Sequence, residues 1–241
     1  MLNTIPIQKV LFLDIETVPA CASYHDLSDS FKSLWNIKAK QIQQKDEIFL
    51  PEEVYNRAGI YAEFGKIVCI SVGYFAQERE LRIKSFYSDD EKELLLDFSA
   101  LLNRFFNTQG HLLCAHNGKE FDFPFIARRM LVNEITIPHV LNISGKKPWE
   151  VSHLDTMELW KFGDYKSYVS LNLLAALFNI PTPKDDIDGS QVGEVYWKLK
   201  DLDRIARYCQ KDVLTVAQIF LKYRCEPLLK EDNGEFVYLE K

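Results

Sequence analysis

Two acidic side chains end an apolar segment near the start of the sequence. The segment KVLFLDIETVP, residues 9–19, places Asp14 and Glu16 after aliphatic and aromatic residues typical of a buried strand. Residues two apart in a strand point to the same face, so the carboxylates would lie side by side. Burying them costs free energy unless a cation offsets their desolvation. The pair indicates a divalent metal site, although an acidic strand end facing solvent would give the same pattern.

A second acidic segment, AHNGKEFDFPFI, covers residues 115–126 and reads as a strand end, a turn and a helix start. Asn117 lies at the carboxyl end of the predicted strand, where open α/β sheets bind ligands. Asp122 would open the helix, and Phe121 beside it could pack against a base or anchor the helix. Asp122 alone could equally be a first-turn acid favoured by the helix dipole.

A third segment, RYCQKDVLTV at residues 207–216, places Tyr208 and Asp212 four residues apart. On a helix this spacing puts the phenol and the carboxylate on one face, where both can address one metal-bound water. The pattern alone also fits a tyrosine packed on the core beside an exposed acid. Together, the three segments supply four carboxylates, which is what two Mg²⁺ or Mn²⁺ ions need to catalyse a phosphoryl transfer.

The elements predicted around these segments form a mixed sheet with helices on its faces, an α/β arrangement. Strands are predicted at residues 9–17, 66–77, 79–88 and 111–118, and another within 151–160 runs into a helical turn. Residues 66–77 and 79–88 are separated by a short polar turn and should form an antiparallel hairpin. Helices are predicted at residues 91–106, capped by Ser88, Asp89 or Asp90, and at 121–134, 170–180 and 201–224.

Residues from about 20 to 65 interrupt this alternation, and we interpret them as a helical insertion between two strands. A helix is predicted within residues 28–48, and a second short helix should start at Pro51. The apolar residues at helical spacing in the first are Phe31, Leu34, Ile37 and Ile42. We therefore expect residues 1–241 to be a single domain with this insertion and a short tail at about 226–241.

Composition narrows the class of protein. The sequence of 241 residues is 47% hydrophobic and 27% charged, which is ordinary for a globular protein. It has no apolar run long enough to span a membrane and no signal-peptide pattern, so we expect a cytoplasmic protein. The five scattered cysteines argue against a disulfide framework, and Cys69 and Cys114 should be core residues. The net charge of −6 argues mildly against coating nucleic acid, but not against holding a strand in a local cleft.

The motifs DIET, HNGKEFDFPF and YCQKD resemble, in order and approximate spacing, the three motifs of the DEDD (DnaQ-like) 3′–5′ exonucleases. Tyr208 is typical of their tyrosine (DEDDy) branch, since Arg207 stands where the histidine branch has a histidine. From about Lys9 to Tyr223 the sequence resembles the predicted stand-alone exonucleases related to the proofreading domain of B-family DNA polymerases.

This resemblance implies a ribonuclease H-like fold and a metal-dependent 3′–5′ exonuclease with two divalent cations, Mg²⁺ or Mn²⁺. Asp14 would bridge both cations, Glu16 and Asp212 would hold the one on the nucleophile side, and Asp122 would support the other. Tyr208 would orient the attacking water.

The resemblance also implies which residues contact the 3′-terminal nucleotide: Asn117, Phe121 and the backbone around Ile15 and Thr17. The substrate would be the 3′ end of single-stranded DNA, with a protein partner in DNA replication or repair as a further expectation. Two alternatives stay open. The chain could be an RNA-processing exonuclease, or a nucleic-acid-binding or complex-forming module that docks a partner through its insertion or its tail.

Three further features have two interpretations each. Asp155 is either near the metals or, as we favour, the N-cap of a helix. The acidic residues 184–191 favour a solvated loop over a metal site, because EF-hand spacing is absent. Lys146, Lys147 and Trp149 could grip a nucleic-acid strand or form an ordinary surface turn.

Overall fold

A mixed β-sheet forms the centre of the molecule. The computed structural model describes residues 2–42, 49–108, 110–164, 168–181 and 187–239, and in these ranges the sheet has six strands. They are β1 (Val10–Pro19), β2 (Gly65–Gln77), β3 (Glu80–Tyr87), β4 (Leu112–Ala115), β5 (Leu154–Asp155) and β6 (Phe236–Tyr238). Their order across the sheet is β5-β4-β1-β2-β3-β6. β1, β2 and β3 are successively antiparallel, whereas β4 runs parallel to β1, β5 to β4 and β6 to β3.

Helices cover both faces of this sheet. They are α1 (Asp29–Ile42), α2 (Glu91–Phe105), α3 (Asp122–Val132), α4 (Thr156–Lys161), α5 (Leu171–Leu177), α6 (Val192–Glu194) and α7 (Leu202–Tyr223). α6 continues directly into a π-helical turn, Val195–Leu199. The expected α/β class, with a mixed central sheet flanked by helices, is confirmed. The predicted hairpin is also confirmed, and Asp90 is the residue that caps α2.

The apolar run of β1 is continuous because both faces of this strand are covered. Leu11 and Leu13 belong to the core cluster that contains α2 and α3. Val10 and Phe12 point the other way, toward α7, where the Phe12 and Phe220 rings lie 5.5 Å apart, centroid to centroid. Since strand residues alternate, the next position on the α7-facing row is the first acid of the DIET motif.

The insertion is a small packed structure of its own. Its core surrounds Trp35, which is fully buried and donates its indole N–H to the Pro51 carbonyl oxygen at 2.7 Å. The predicted helix is present as α1, and residues 43–48 lie outside the described residues. The predicted helix starting at Pro51 is wrong: a turn comes first, and a 3₁₀ helix follows at Tyr55–Ile60.

Two glycines let the insertion lie directly on the end of β1. A Cβ at Gly59 would come within 3.1 Å of the Val18 carbonyl carbon, and one at Gly65 within 2.8 Å of the Gly59 oxygen. Real Cβ atoms rarely approach backbone this closely, so backbone packs against backbone here. The insertion is therefore fixed to the strand that carries the acids.

The tail contains a strand that sequence reasoning missed. Residues 236–238 pair in parallel with β3, next to the hairpin, although the segment was predicted only as a tail. Three residues are too few for strand alternation to be recognised in a sequence. The expected core cysteines, Cys69 and Cys114, are both buried. Within the described ranges, no helix is long and apolar enough to cross a membrane.

Candidate active site

Asp14 and Glu16 extend the row of β1 side chains that faces α7. Glu16 is only 7% exposed, and Asp14 is half-buried. Their carboxylate oxygens and the Sγ atom of Cys209 on α7 all lie within 4.8 Å of one another. The spacing in the strand thus brings two acids together at the contact between β1 and α7, as the sequence predicted.

Cys209 is the residue of this cluster that sequence reasoning missed. Its thiol donates to the Oδ2 atom of Asp14 at 3.3 Å and lies 3.4 Å from the Asp14 carbonyl oxygen. A signal was present, since Cys209 comes three residues before Asp212 and four before Val213 on the same helix face. A cysteine in an apolar helix stripe is, however, usually a core residue.

Asp122 reaches the same place from the opposite side of β1. It is the first residue of α3, and the strand before it, β4, runs parallel to β1, so the two strands end at the same edge. The carboxyl group of Asp122 is 3% exposed and accepts hydrogen bonds from the backbone of Ile15 and from its own N–H. Asp122 is thus a first-turn acid whose side chain is aimed at the acidic strand.

Tyr208 and Asp212 lie on one face of α7, as their spacing predicted. The Tyr208 hydroxyl is hydrogen-bonded to the Asp212 carboxylate. Burial, and then the negative charges of Asp212, Glu16 and Asp14, raise the pKa of Tyr208 well above its ordinary value. The phenol therefore stays protonated near neutral pH and serves as a hydrogen-bond donor.

The charges that the described residues place around this cluster are mainly negative. The pKa of Asp14 is raised well above its usual range by burial, then by the charges of Asp212 and Asp122. The pKa of Glu16 is raised in the same way, by burial and then by Asp14 and Asp212. Burial raises the pKa of Asp122 to about 8, with Asp155 contributing. For all three, the strongest charges acting from the described residues are acidic.

A divalent cation fits this donor set. Carboxylate oxygens are the ligands that Mg²⁺ and Mn²⁺ prefer, and a cation would offset both the desolvation and the mutual repulsion of the acids. Four carboxylates on two strand-end segments and one helix converge on one region of the fold. Two observations support the fit. The ligands are carboxylates, and their raised pKa values show that the charged forms are unfavourable in the absence of a cation.

The charge of Asp155 acts on Asp122, and Asn117 is hydrogen-bonded to Asp155. The Asp155 carboxylate accepts from the backbone N–H groups of Asn117, Lys119, Met157 and Glu158, at 2.9 to 3.2 Å. Asp155 is therefore the N-cap of α4, as favoured from the sequence. Asn117 has a left-handed backbone, with φ of 64°, and its buried Oδ1 atom has no hydrogen-bond partner among the described residues.

A cleft of about 930 Å³ opens next to Glu16. Ile15, Thr17 and Phe121 line it at the acidic end, and residues of the insertion and of the segment 189–198 form its walls. Its volume is at the upper end of the range found for ligand-binding clefts, about 300–1,000 Å³. The cleft thus reaches one of the candidate metal ligands, Glu16.

Two candidate features remain, the segment around Trp149 and the acidic loop. The described lining of the cleft does not include Lys146, Lys147 or Trp149, and the Trp149 side chain is 78% exposed. In the acidic loop, residues 184–186 lie outside the described residues. Asp188 in that loop is exposed, and its carboxylate accepts from the backbone and hydroxyl of Ser190.

Comparisons with known proteins give a matching family and, among the solved structures that match, a DNA polymerase. Residues 60–232 match the model of a family described as predicted 3′–5′ exonucleases related to the exonuclease domain of PolB. The match includes Asp122, Tyr208 and Asp212 and begins after Asp14 and Glu16. No curated protein matches the sequence.

The solved structure is that of the family B DNA polymerase from the hyperthermophilic archaeon Pyrobaculum calidifontis. Its alignment has 15% sequence identity and a TM-score of 0.49, and it covers 89% of this chain. The chain spans 24% of the length of that polymerase.

Proposed function

This chain belongs to the family of predicted 3′–5′ exonucleases related to the exonuclease domain of PolB, and from that premise we propose that it hydrolyses phosphodiester bonds at the 3′ end of single-stranded nucleic acid. DNA is the favoured polymer, and the cytoplasm the favoured location. One observation carries the proposal. Glu16 lines the end of a cleft, the charges of Asp14, Asp212 and Asp122 act on its carboxyl group, and the pKa values of Asp14, Glu16 and Asp122 are raised by burial and by neighbouring acids.

We assign two divalent cations, Mg²⁺ or Mn²⁺, to these acids. Asp14 would contact both, Glu16 and Asp212 one, and Asp122 the other. When bound, the cations would supply the positive charge that stabilises the attacking and leaving oxygens of the phosphoryl transfer. Asp14 and Glu16 are held in a fixed arrangement because β1, which carries them, packs against a core on each face of the sheet. One of these cores includes α7.

Tyr208 orients the attacking water in this proposal. Its raised pKa keeps the proton on the phenol oxygen, so the residue donates a hydrogen bond and does not act as a base. The phenol donates its one proton to the Asp212 carboxylate, so its oxygen is left to accept a hydrogen bond from the water. The phenol and the acids would then address the same water from α7 and β1.

The terminal nucleotide would lie at the acidic end of the cleft. Ile15 and Thr17 line it beside Glu16, and the Phe121 ring offers an apolar surface on which a base can stack. The buried Oδ1 atom of Asn117 is an acceptor without a donor among the described residues, and a sugar hydroxyl would satisfy it. These side chains position the substrate, whereas the four acids act at the reacting phosphate.

A cleavage time course tests the proposal. Single-stranded DNA and RNA oligonucleotides labelled at the 5′ end are incubated with Mg²⁺, Mn²⁺ or EDTA. The expected result is a ladder that shortens from the 3′ end only with metal, faster on DNA. Asp14→Ala should remove it, and Asp97→Ala, which deletes an exposed acid on α2, should not. Intact oligonucleotides in every lane would favour the nucleic-acid-binding module, and faster loss of RNA would favour RNA processing.

A further inference from the structure

The insertion forms one wall of the cleft that begins at Glu16. Tyr24, Tyr55 and Arg57 line the cleft from the insertion, and Trp197 lines it from the π-helical turn on the other side. We propose that a single strand runs between these two walls, with a phosphate upstream of the scissile bond bound by Arg57 and a base stacked on Trp197. The inference rests on the proposed function and extends it to insertion residues before residue 60, where the family match begins.

The insertion wall is built before any strand arrives. The buried Trp35 gives the insertion its own core, and Gly59 and Gly65 fix it against the backbone of β1. The Tyr55 hydroxyl accepts a hydrogen bond from the Cys21 backbone N–H at 3.3 Å. A wall that is already ordered loses little conformational entropy on binding, so its contacts translate into affinity.

The opposite wall is fixed to the same strand. The indole N–H of Trp197 donates to the carbonyl oxygen of Pro19, the last residue of β1, at 3.1 Å. Its ring edge also packs on Tyr196, with ring centroids 4.9 Å apart. The Lys200 and Lys66 ammonium groups lie over this ring, 4.8 and 5.3 Å from its centroid, and the side chain is half-buried. Because its polar atom is already hydrogen-bonded, what Trp197 presents to the cleft is the ring surface that these groups leave uncovered. Ring surface is suited to stacking on a base.

The pairing of the charged side chains in the cleft favours Arg57 as the residue that binds the phosphate. Its side chain is exposed and makes no hydrogen bond or ion pair with any residue in the described ranges. By contrast, the Lys198 ammonium in the same cleft is paired with Glu194 at 3.1 Å. Glu52 also lines the cleft, so the wall is not uniformly basic. Among the lysines and arginines described in the lining of the cleft, Arg57 is therefore the one whose charge is not paired.

The combination selects a single strand. Stacking on an aromatic side chain requires a base whose face is free, which a paired and stacked duplex does not offer. One guanidinium and aromatic rings beside it are the elements with which proteins hold single strands without reading their sequence. The acidic end of the cleft then receives the last nucleotide.

Equilibrium binding in EDTA tests the two walls separately from hydrolysis. The probe is a fluorescein-labelled single-stranded oligothymidylate, and binding is followed by fluorescence anisotropy at several salt concentrations. We expect Arg57→Ala to weaken binding about fivefold at 0.1 M salt and to reduce the slope of log K against log salt by about 0.7. Arg128→Ala removes an exposed arginine of α3 that does not line the cleft, and it should change neither quantity.

Two variants test the stacking of a base on Trp197. Trp197→Ala should weaken binding about tenfold, while Trp197→Phe, which keeps a ring and the fold, should retain most of the affinity. In the cleavage assay Arg57→Ala should raise KM and leave kcat nearly unchanged, because Arg57 is not among the main charges that shift the pKa values of Asp14, Glu16 and Asp122. If the wild-type protein bound the oligonucleotide in EDTA but never cleaved it with metal, the proposed exonuclease activity would be refuted. The proposed binding of the strand by the two walls would stand.

Three results would overturn the inference. The first is unchanged affinity and salt slope in Arg57→Ala, and the second is an equal loss in Arg128→Ala. The third is a wild-type protein that cleaves with metal yet shows no binding of the oligonucleotide in EDTA at any salt concentration. In that case the exonuclease would stand, and the strand would be held by the metal site alone.

Discussion

Among the residues that the structure describes, buried acids lie in two regions, and a basic side chain pairs with the acid in one of them. Glu91 on α2 is 8% exposed, and the guanidinium of Arg129 approaches both of its carboxylate oxygens, at 2.9 and 2.6 Å. The Ile67 N–H and the Asn133 side-chain amide complete the set, at 2.7 and 2.9 Å. Every oxygen of this acid has a donor, and its charge has a counter-charge.

Asp14 and Glu16, by contrast, meet a thiol and other acids. The thiol of Cys209 is a weak donor, and the charges that act most strongly on both carboxyl groups raise their pKa values. The fold thus has a means of stabilising a buried carboxylate and uses it at Glu91. The difference separates an acid that holds the structure together from the acids to which we assign the cations.

The largest expected effect is the loss of turnover in Asp14→Ala. Removing one acid from the cluster should lower the cleavage rate about a thousandfold or more, because metal stabilisation of the reacting oxygens contributes several kcal/mol. The free energy of unfolding in EDTA should stay equal or rise, since the change relieves repulsion among acids. Cleavage assays and urea unfolding measure the two quantities on the same preparation.

Asp97→Ala is the control for a surface acid, and it should change neither the cleavage rate nor stability appreciably. Near wild-type cleavage by Asp14→Ala would show that the metal assignment is wrong. A large loss of stability in EDTA would show that Asp14 is a structural acid like Glu91, and the contrast between the two regions would not hold.

Removing Glu91, the buried acid of the other region, should have the opposite effect: stability is lost and turnover is retained. Glu91→Ala leaves the Arg129 guanidinium buried without its carboxylate, and breaking such a pair costs about 3–5 kcal/mol of unfolding free energy. Urea unfolding measures the loss, and turnover per folded molecule should be nearly unchanged. Glu80→Ala, which breaks the more exposed pair with Arg82, should cost much less. Equal losses in the two variants would contradict this prediction.

Much of the site was predictable because it depends on short spacings. Strand alternation placed Asp14 beside Glu16, and helical spacing placed Tyr208 beside Asp212. The strand–turn–helix pattern around Asp122 predicted that this acid follows the carboxyl end of a strand. Each of these inferences needs only a few neighbouring residues, and the local geometry of a strand or helix supplies the rest.

What could not be predicted depends on contacts between distant parts of the chain. The apolar residues Phe31, Leu34 and Ile37 indicated α1 but are 44 to 58% exposed, while Trp35 and Ala39 form its inner face. Their burial requires the rest of the insertion, which the helical pattern does not contain. In the same way, the pairing of β6 with β3 and the two walls of the cleft arise only when the chain folds.

A third buried titratable group extends the comparison to pH. His153 is 6% exposed, accepts from the Leu113 N–H through Nδ1, and is bonded through Nε2 to the Val140 carbonyl oxygen. Neutral imidazole satisfies both contacts, and burial lowers its pKa to about 4. The unfolded chain therefore takes up the proton first, so the contribution of His153 is complete above about pH 6.5 and is lost as pH falls toward 4.

The loss over that window should be about 3 kcal/mol. Unfolding free energies of the wild type and His153→Gln are compared between pH 7 and pH 4.5, because the difference between them removes the contributions of the other titrating groups. The gap should narrow steadily as pH falls. A gap that is independent of pH would mean that the imidazole titrates alike in the folded and unfolded chain.

The smallest expected effect tests whether a cation does at the acidic cluster what Arg129 does at Glu91. A ligand that binds only the folded state stabilises it by about 2.7 kcal/mol at a hundred times its Kd. Mn²⁺ or Mg²⁺ should therefore raise the unfolding midpoint of the wild type and leave that of Asp14→Ala nearly unchanged. Glu91→Ala, although less stable, should gain as much from the metal as the wild type does. An equal gain in Asp14→Ala would place the cation elsewhere, and the unneutralised acids would then need another explanation.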